Sequence, residues 1–130
     1  MALLYLDASA GVKLVMHEPE STALHRYVDA QDAWTSSSLF RAEVLRAARC
    51  GDEARLQAAR ELLRGIVLIA IDEEVLLGAA ELDPPLVRTL DAIHLATALR
   101  LADELEAIVT YDRRMIEAAR LHGLPIASPA

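Results

Sequence analysis

Short apolar runs alternate with longer segments of helical periodicity along this chain. The apolar runs lie at residues 3–6, 33–35, 67–71 and 107–110, and helices are predicted near 8–16, 21–28, 39–50, 52–65, 72–82, 90–105 and 112–123. Strands separated by helices of this length are typical of parallel sheets whose two faces are covered by helices. The predicted fold class is therefore α/β, with a short and mostly parallel central sheet flanked by helices.

Three segments carry more specific predictions. The run at 67–71 is entirely apolar and rich in β-branched side chains, which predicts a fully buried parallel strand. Residues 90–105 are predicted to form one helix after a loop, because Pro84 and Pro85 cannot continue the helix before it. Residues 124–126 are predicted to form a short strand at an edge of the sheet.

The composition fits a protein with one hydrophobic core. A length of 130 residues suits a single domain, residues 1–130, and Cys50 as the only cysteine excludes an internal disulfide. Because the sequence shows no signal peptide and no apolar run of membrane-spanning length, a cytoplasmic protein without membrane association is expected. The net charge of −7 argues against a non-specific nucleic-acid coat protein but not against a nucleic-acid enzyme. The apolar fraction of 54% predicts exposed apolar patches, and hence a partner or a homo-oligomer.

Two aspartates come directly after predicted strands. Asp7 ends the first apolar run and Asp112 follows the last one. Active sites of open parallel sheets form beyond the C-terminal ends of the strands, so both side chains are expected at that rim of the sheet. Asp91, in the first turn of an otherwise apolar helix, is expected to face the same rim, and Glu43 lies on the apolar side of its helix. We call these four residues the acidic quartet and expect them to converge.

Each member of the acidic quartet also has a purely structural interpretation. Asp7 and Asp112 are suited to cap the N-terminus of a helix, and Asp91 is suited to complement a helix dipole. Glu43 could form an ordinary ion pair with Arg46 one turn later in the sequence. The sequence leaves these interpretations open for each acid taken singly.

The conjunction of four acids points to metal chemistry. Converging carboxylates raise one another's pKa values, and a divalent cation relieves that repulsion. Oxygen ligands favour Mg²⁺, with Mn²⁺ able to replace it. Ser9 and Thr110 are expected to support the site by orienting an acid or a water molecule. Without a glycine-rich phosphate loop, such a site suggests phosphodiester hydrolysis by a metal-activated water that Asp91 or Glu43 could steer.

Four motifs of this chain resemble those of PIN domains, and most of all those of the VapC toxins of bacterial toxin–antitoxin pairs. They are Leu6-Asp7-Ala8-Ser9, Arg41-Ala42-Glu43-Val44, Leu90-Asp91-Ala92-Ile93-His94-Leu95-Ala96-Thr97-Ala98 and Val109-Thr110-Tyr111-Asp112. The resemblance covers essentially the whole chain, and the Asp-Ala-x-His-Leu-Ala pattern of the third motif is its most specific part. It implies a PIN-like three-layer fold.

The resemblance also implies a function. The expected protein is a Mg²⁺-dependent endoribonuclease, the toxin of a type II toxin–antitoxin pair, that commonly acts on tRNA or other structured RNA. A homodimer and inhibition by a small cognate antitoxin that blocks the site are implied as well. By matching position, the catalytic and metal-binding acids of the family fall on Asp7, Glu43, Asp91 and Asp112.

Other polar residues near these motifs carry weaker signals. Many family members have a further acid two residues after the last aspartate, and here Arg114 stands at that position, which puts a well-bound second metal in doubt. Arg113 and Arg114 are candidate RNA phosphate contacts, or else solvated residues of a first helical turn, and Lys13 and Arg88 are further candidates. His94 is expected to be a packed histidine with satisfied hydrogen bonds and no catalytic role.

Two other functions would use the same residues. A PIN-like DNA or flap nuclease would share the metal chemistry, and a PIN-like binding module that has lost catalysis would keep the fold. A haloacid-dehalogenase-like phosphatase would need a second aspartate two residues after Asp7, where Ser9 stands. A receiver domain would need a lysine after a late strand, and Lys13 is the only lysine. Neither of these last two classes therefore fits.

Overall fold

One parallel sheet lies at the centre of this protein, which a computed structural model describes for residues 2–130. Met1, the first residue of the predicted domain, lies outside the described residues. The sheet contains strands β1 (Leu3–Leu6), β2 (Ala33–Ser37), β3 (Val67–Ile69), β4 (Leu105–Val109) and β5 (Ile126–Ala127). Their order is β3-β2-β1-β4-β5, and each neighbouring pair is parallel. β1 therefore lies in the middle, with β4 beside it.

Seven α-helices and one short 3-10 helix, Ala102–Glu104, connect the strands within residues 2–130. The α-helices are α1 (Ala8–Val15), α2 (Ser21–Asp29), α3 (Leu39–Ala48), α4 (Glu53–Arg64), α5 (Glu73–Glu81), α6 (Thr89–Leu99) and α7 (Arg113–Leu121). Four of them begin at an aspartate whose side chain accepts a hydrogen bond from a backbone N–H of the first turn, namely Asp7, Asp52, Asp72 and Asp112. None of the described helices is long and apolar enough to cross a membrane.

The core has two halves, one on each face of the sheet. Side chains of β1 alternate between them, because successive residues of a strand point to opposite faces. Leu4 and Leu6 pack with α1, α2, α3 and α4, whereas Tyr5 packs with α6 and α7. A smaller apolar cluster joins α5 to α6 through Val75 and Ile93. The predicted α/β fold, a parallel sheet between two layers of helices, is confirmed.

Three predicted segments differ from the structure. The run at 67–71 forms only the three residues of β3, and it was wrongly predicted to be fully buried, since β3 is an edge strand and Val67 is 68% exposed. An apolar run cannot by itself distinguish an edge strand from a central one. The helix predicted at 90–105 ends at Leu99, because Leu105 enters β4 and pairs with Leu3. The predicted final strand lies at an edge as expected, but it is shifted to Ile126–Ala127.

Candidate active site

Asp7 lies where β1 ends and α1 begins, and its carboxylate is enclosed by donors. The side chain is 3% exposed. Its Oδ1 accepts hydrogen bonds from the Ser9 hydroxyl at 2.6 Å and from the backbone N–H of Ala10 at 3.0 Å. Its Oδ2 accepts a hydrogen bond from the Thr110 hydroxyl at 2.5 Å. Asp7 is thus both a helix cap and a buried acid that is fixed by two hydroxyl groups.

Burial raises the pKa of Asp7 above its ordinary value of 3.8. The hydrogen bonds from Ser9, Thr110 and Ala10 lower the pKa in turn, because they stabilise the ionised form, but they do not offset the loss of hydration. The ionised carboxylate is therefore held in a place that disfavours its charge. A buried acid of this kind gains from a neighbouring cation.

The two hydroxyl groups bring the end of β1 together with the end of β4. Thr110 is fully buried, and besides donating to Asp7 its Oγ1 accepts a hydrogen bond from the backbone N–H of Asp112 at 3.2 Å. The Ser9 Oγ accepts a hydrogen bond from the backbone N–H of Tyr111 at 2.9 Å. The segment that carries Asp112 is therefore tied directly to the two hydroxyl groups that hold Asp7.

The negative charges of Asp112 and Asp7 act on Asp91 at this rim of the sheet. The pKa of Asp91 is raised, first by burial, then by the charge of Asp112, and further by that of Asp7. Asp112 caps α7 through a hydrogen bond from the backbone N–H of Arg114 at 2.9 Å. Within residues 2–130, no lysine or arginine forms an ion pair with any of the three aspartates. Their repulsion is not relieved by a salt bridge.

Glu43, on α3, pairs with His94 of α6, and it is not among the charges that shift the pKa values of Asp7 and Asp91. Its Oε1 lies 2.7 Å from Nε2 of His94, which is 2% exposed, and the Glu43 side chain is 21% exposed. The predicted alternative, an ion pair with Arg46, is wrong because Glu43 pairs with His94 instead. The other ring nitrogen, Nδ1, lies 2.7 Å from the Tyr5 hydroxyl, so His94 is the packed and satisfied histidine that was predicted.

The donor chemistry of the quartet suits a hard divalent cation, since every side-chain ligand it offers is a carboxylate oxygen. Within the described residues, however, no three His, Cys, Asp or Glu side chains are gathered closely enough to hold a metal ion as they stand. Asp7 is held by hydroxyl groups and Glu43 by His94. Side-chain movements would be needed for several acids to share one ion.

Two grooves adjoin the acids. One, of about 430 Å³, is lined by Asp91, by Arg88 and Arg114, and by apolar residues that include Leu86 and Leu121. The two arginines are exposed, so the groove offers positive charge close to an acid of the quartet. This is the arrangement that a phosphate backbone approaching Asp91 would meet.

A second groove adjoins Asp112 and Ser9 and includes Lys13. The Lys13 ammonium lies 2.9 Å from the Glu20 carboxylate and 3.5 Å from that of Glu18, and the hydrogen bond that it donates to Glu20 is the main reason why its pKa is raised. Lys13 is therefore less available to RNA than Arg88 or Arg114. Arg113 is exposed in the first turn of α7.

Sequence reasoning missed Tyr5. Its hydroxyl is buried, accepts a hydrogen bond from the backbone N–H of Ser37 at 3.1 Å and contacts His94. The only sequence signal is a single aromatic residue with a polar end inside the aliphatic run Leu3–Leu6. A buried tyrosine needs a hydrogen-bond partner, but the sequence does not reveal which one.

Comparison with known proteins identifies the family. The family model for the PIN domain matches residues 4–121. The chain is 47% identical over 130 residues to Ribonuclease VapC46 of Mycobacterium tuberculosis (strain ATCC 25618 / H37Rv), with 100% of both chains covered. It is 41% identical over 133 residues to Ribonuclease VapC47 of Mycobacterium tuberculosis (strain CDC 1551 / Oshkosh), with 98% of this chain and 97% of that protein covered.

A solved structure supports the fold independently. The crystal structure of Mycobacterium tuberculosis VapC20, described as a sarcin–ricin loop cleaving toxin, superposes with a TM-score of 0.66. It covers 88% of this chain and 94% of its own, at 16% identity, which shows a common fold. The predicted resemblance is thereby confirmed: the chain belongs to the PIN domain family and, within it, to the VapC ribonucleases.

Proposed function

We propose that this protein is the toxin of a type II toxin–antitoxin pair and a Mg²⁺-dependent endoribonuclease, with Mn²⁺ able to replace Mg²⁺. The observation that carries the proposal is the group of three unpaired aspartates at the C-terminal rim of β1 and β4, in a chain of the VapC family. Such a group is costly to fold unless its charge serves a ligand.

Asp7, Asp91 and Asp112 would hold the cation, with Glu43 as the fourth acid of the site. When bound, the cation activates a water molecule for attack on a phosphodiester bond and stabilises negative charge on the phosphate oxygens. The chain itself would supply orientation: Ser9 and Thr110 hold the two oxygens of Asp7. Asp91 and Glu43 are the acids that would steer the water.

RNA binding is proposed along the groove beside Asp91. Arg88 and Arg114 line this groove and can form bidentate contacts with phosphates. With a net charge of −7, the protein would rely on such local contacts rather than on its overall field. We propose tRNA or another structured RNA as the substrate class.

A small cognate antitoxin and a homodimer are proposed as partners. Leu86 is 93% and Leu121 is 73% exposed, and both line the groove beside Asp91. A protein seated there would bury apolar surface and shield Asp91 from RNA at the same time. Co-expression with a small protein encoded beside this one is expected to give a stable complex without ribonuclease activity, and light scattering would measure the mass of the free toxin.

The test of the activity compares charge removal at two helix caps. Asp112 and Asp52 both cap helices, and asparagine caps a helix about as well as aspartate. Asp112→Asn and Asp91→Asn are expected to lower Mg²⁺-dependent cleavage of purified tRNA and total RNA by more than about 100-fold. The control Asp52→Asn is expected to cleave like the wild type, because Asp52 lies in an exposed cap outside the quartet.

Three results would contradict the proposal in different ways. RNA cleavage at the wild-type rate in EDTA, or by Asp112→Asn, would show that the quartet does not act through a bound metal ion. Cleavage of matched DNA or flap substrates but not of RNA would indicate the other nuclease class. Absence of both Mn²⁺ binding and cleavage in the wild type would leave a PIN-like binding module that has lost catalysis.

A further inference from the structure

We propose that Tyr5 and His94 are positioning residues that hold the Glu43 carboxylate, with Tyr5 fixing the His94 imidazole in the tautomer whose Nε2 carries the proton. The inference rests on the proposed function only in giving Glu43 a metal-binding task. Its structural basis is a chain of three short contacts that links the middle of the sheet to α6 and then to α3.

The chain of contacts begins at a backbone N–H, which can donate a hydrogen bond but cannot accept one. The backbone N–H of Ser37 donates to the Tyr5 hydroxyl oxygen at 3.1 Å. The Tyr5 proton must then be donated elsewhere, and among the described residues the partner that accepts it is Nδ1 of His94 at 2.7 Å. Ser36 and Thr97 lie near the Tyr5 hydroxyl, but their own protons are given to the carbonyl oxygens of Leu6 and Ile93, so neither donates to Tyr5.

The other side of the imidazole requires the same tautomer. Nε2 of His94 lies 2.7 Å from Oε1 of Glu43, and an ionised carboxylate can only accept hydrogen bonds. Nε2 must therefore carry a proton. If Nδ1 also carried one, the Tyr5 hydroxyl would have to accept twice, and its own proton would lose this 2.7 Å partner in a site where Tyr5 is 1% exposed. The contacts on both ring nitrogens therefore fit the tautomer with its proton on Nε2.

The ring orientation adds to this constraint. The Tyr5 and His94 rings meet edge to face, with centroids 5.8 Å apart and an angle of 87° between their planes. A ring held by two hydrogen bonds and by this packing cannot rotate to offer the other nitrogen. Oε1 of Glu43 is thus occupied, whereas Oε2 accepts no hydrogen bond from residues 2–130 and is left to bind a cation.

This arrangement also relates two acids of the quartet. His94 lies three residues after Asp91 on α6, so the two side chains share one side of that helix. By holding Glu43, His94 fixes an acid of α3 relative to the acid of α6. His94 thereby acts through Glu43 and touches no reacting atom.

The tautomer is tested directly by ¹⁵N nuclear magnetic resonance of the metal-free protein. The chain has four histidines, and the His94 signals are assigned by their absence in His94→Gln. In the wild type at neutral pH we expect a protonated Nε2 and an unprotonated Nδ1. In Tyr5→Phe we expect Nε2 to stay protonated, because Glu43 still accepts its hydrogen bond, while the Nδ1 signal shifts toward that of a nitrogen without a hydrogen bond. A wild-type ring with the proton on Nδ1, or with two protons, would overturn the inference.

The consequence for Glu43 is measured as Mn²⁺ affinity by calorimetry. His94→Leu is expected to weaken binding about 10- to 100-fold, as for other residues that orient a metal ligand. His94→Gln is expected to recover most of this loss, because its amide can donate to Glu43. Tyr5→Phe is expected to weaken binding about fivefold, the equivalent of one hydrogen bond. Tyr27→Phe is the matched control, since the Tyr27 hydroxyl has no hydrogen bond within residues 2–130 and Tyr27 packs on the opposite face of the sheet.

These measurements separate failure of the inference from failure of the proposed function. Wild-type Mn²⁺ affinity and an unchanged Nδ1 signal in Tyr5→Phe would refute the positioning role even if the enzyme cleaves RNA. A wild type without Mn²⁺ binding or cleavage would refute the proposed function, while the tautomer would still decide the inference. If His94→Leu does not fold, Tyr5→Phe and His94→Gln carry the test.

Discussion

Thr110→Val tests how much the Thr110 hydroxyl contributes to the stability of the protein and to RNA cleavage. Valine has nearly the shape of threonine, so the fully buried side chain keeps its volume and loses only the hydroxyl. That hydroxyl donates to the carboxylate of Asp7 and accepts the backbone N–H of Asp112. The substitution therefore removes a hydrogen bond to a charged group and leaves a backbone donor without its acceptor.

The expected loss of stability follows from these two contacts. A hydrogen bond to a charged group contributes about 1.5–3 kcal/mol to the free energy of unfolding. For 130 residues, the entropy of unfolding is about 0.27 kcal/mol/K, so the melting temperature should fall by about 5–11 °C. Thr97→Val is the matched control, because Thr97 is almost as deeply buried but its hydroxyl donates to the carbonyl of Ile93 in its own helix and to no carboxylate. It should cost no more than about 1.5 kcal/mol.

The loss of stability caused by Thr110→Val is also expected to depend on pH. Because the pKa of Asp7 is raised on folding, Asp7 favours the folded state most below its ordinary pKa of 3.8, and this contribution is lost as the pH rises through the folded pKa. The Thr110 hydrogen bond lowers the pKa of Asp7, so its removal raises that pKa further. The folded state then loses more stability when Asp7 ionises. The stability difference between Thr110→Val and the wild type should therefore widen as the pH rises.

Thermal unfolding in EDTA between about pH 4 and 8 measures this difference without bound metal. A gap that stays constant or narrows with rising pH would refute the assignment of the Thr110 hydrogen bond to the ionised form of Asp7. A gap no larger than that of Thr97→Val would refute the estimated magnitude. Cleavage by Thr110→Val should fall about 10- to 100-fold, since Thr110 orients a proposed metal ligand.

Three further predictions address the acids, the groove and the packing beneath them. Asp91→Asn should raise the melting temperature in EDTA at neutral pH, because burial and Asp112 raise the pKa of Asp91 and make its charge unfavourable; an unchanged or lower value would contradict this. Arg88→Ala and Arg114→Ala should each lower the salt dependence of RNA binding by about 0.7 in a log–log titration, whereas an unchanged slope would exclude phosphate contacts. Gly11→Ala should cost about 1–3 kcal/mol in chemical denaturation, because its Cβ would meet side chains of α3 at 2.6–2.7 Å; full stability would show that α3 can move aside.

The sequence predicted the features that depend on local pattern. Alternating apolar runs and helices specified a parallel sheet between helices, and the ends of two runs positioned Asp7 and Asp112 at one rim. Features that depend on partners far away in the chain were not predictable. The sequence after Leu99 is compatible with a longer helix. The helix cannot extend to Leu105, however, because Leu105 pairs with Leu3 in the sheet. β3 became an edge strand because of the strand order, which no local pattern encodes.

The contact that most changed the interpretation of the site joins residues 51 positions apart. From the sequence, His94 was expected to be a packed histidine, and Glu43 was assigned to the acidic quartet with an ion pair to Arg46 as the alternative. Periodicity indicated that both faced inward, but it could not show that they faced each other. Only the tertiary fold brings α3 against α6, and with it the carboxylate that His94 holds.

Helix capping and the proposed metal binding do not compete for the same oxygen at Asp112. A cap needs one carboxylate oxygen, and Asp112 uses Oδ1 for the backbone N–H of Arg114. Its second oxygen accepts no hydrogen bond within residues 2–130, so one residue at the end of a strand could begin a helix and also bind the proposed metal ion. Sequence alone cannot choose between these roles, because both favour aspartate at the same position. A substitution that keeps the cap and removes the charge is therefore the perturbation that distinguishes them, and Asp112→Asn beside Asp52→Asn provides that comparison within one chain.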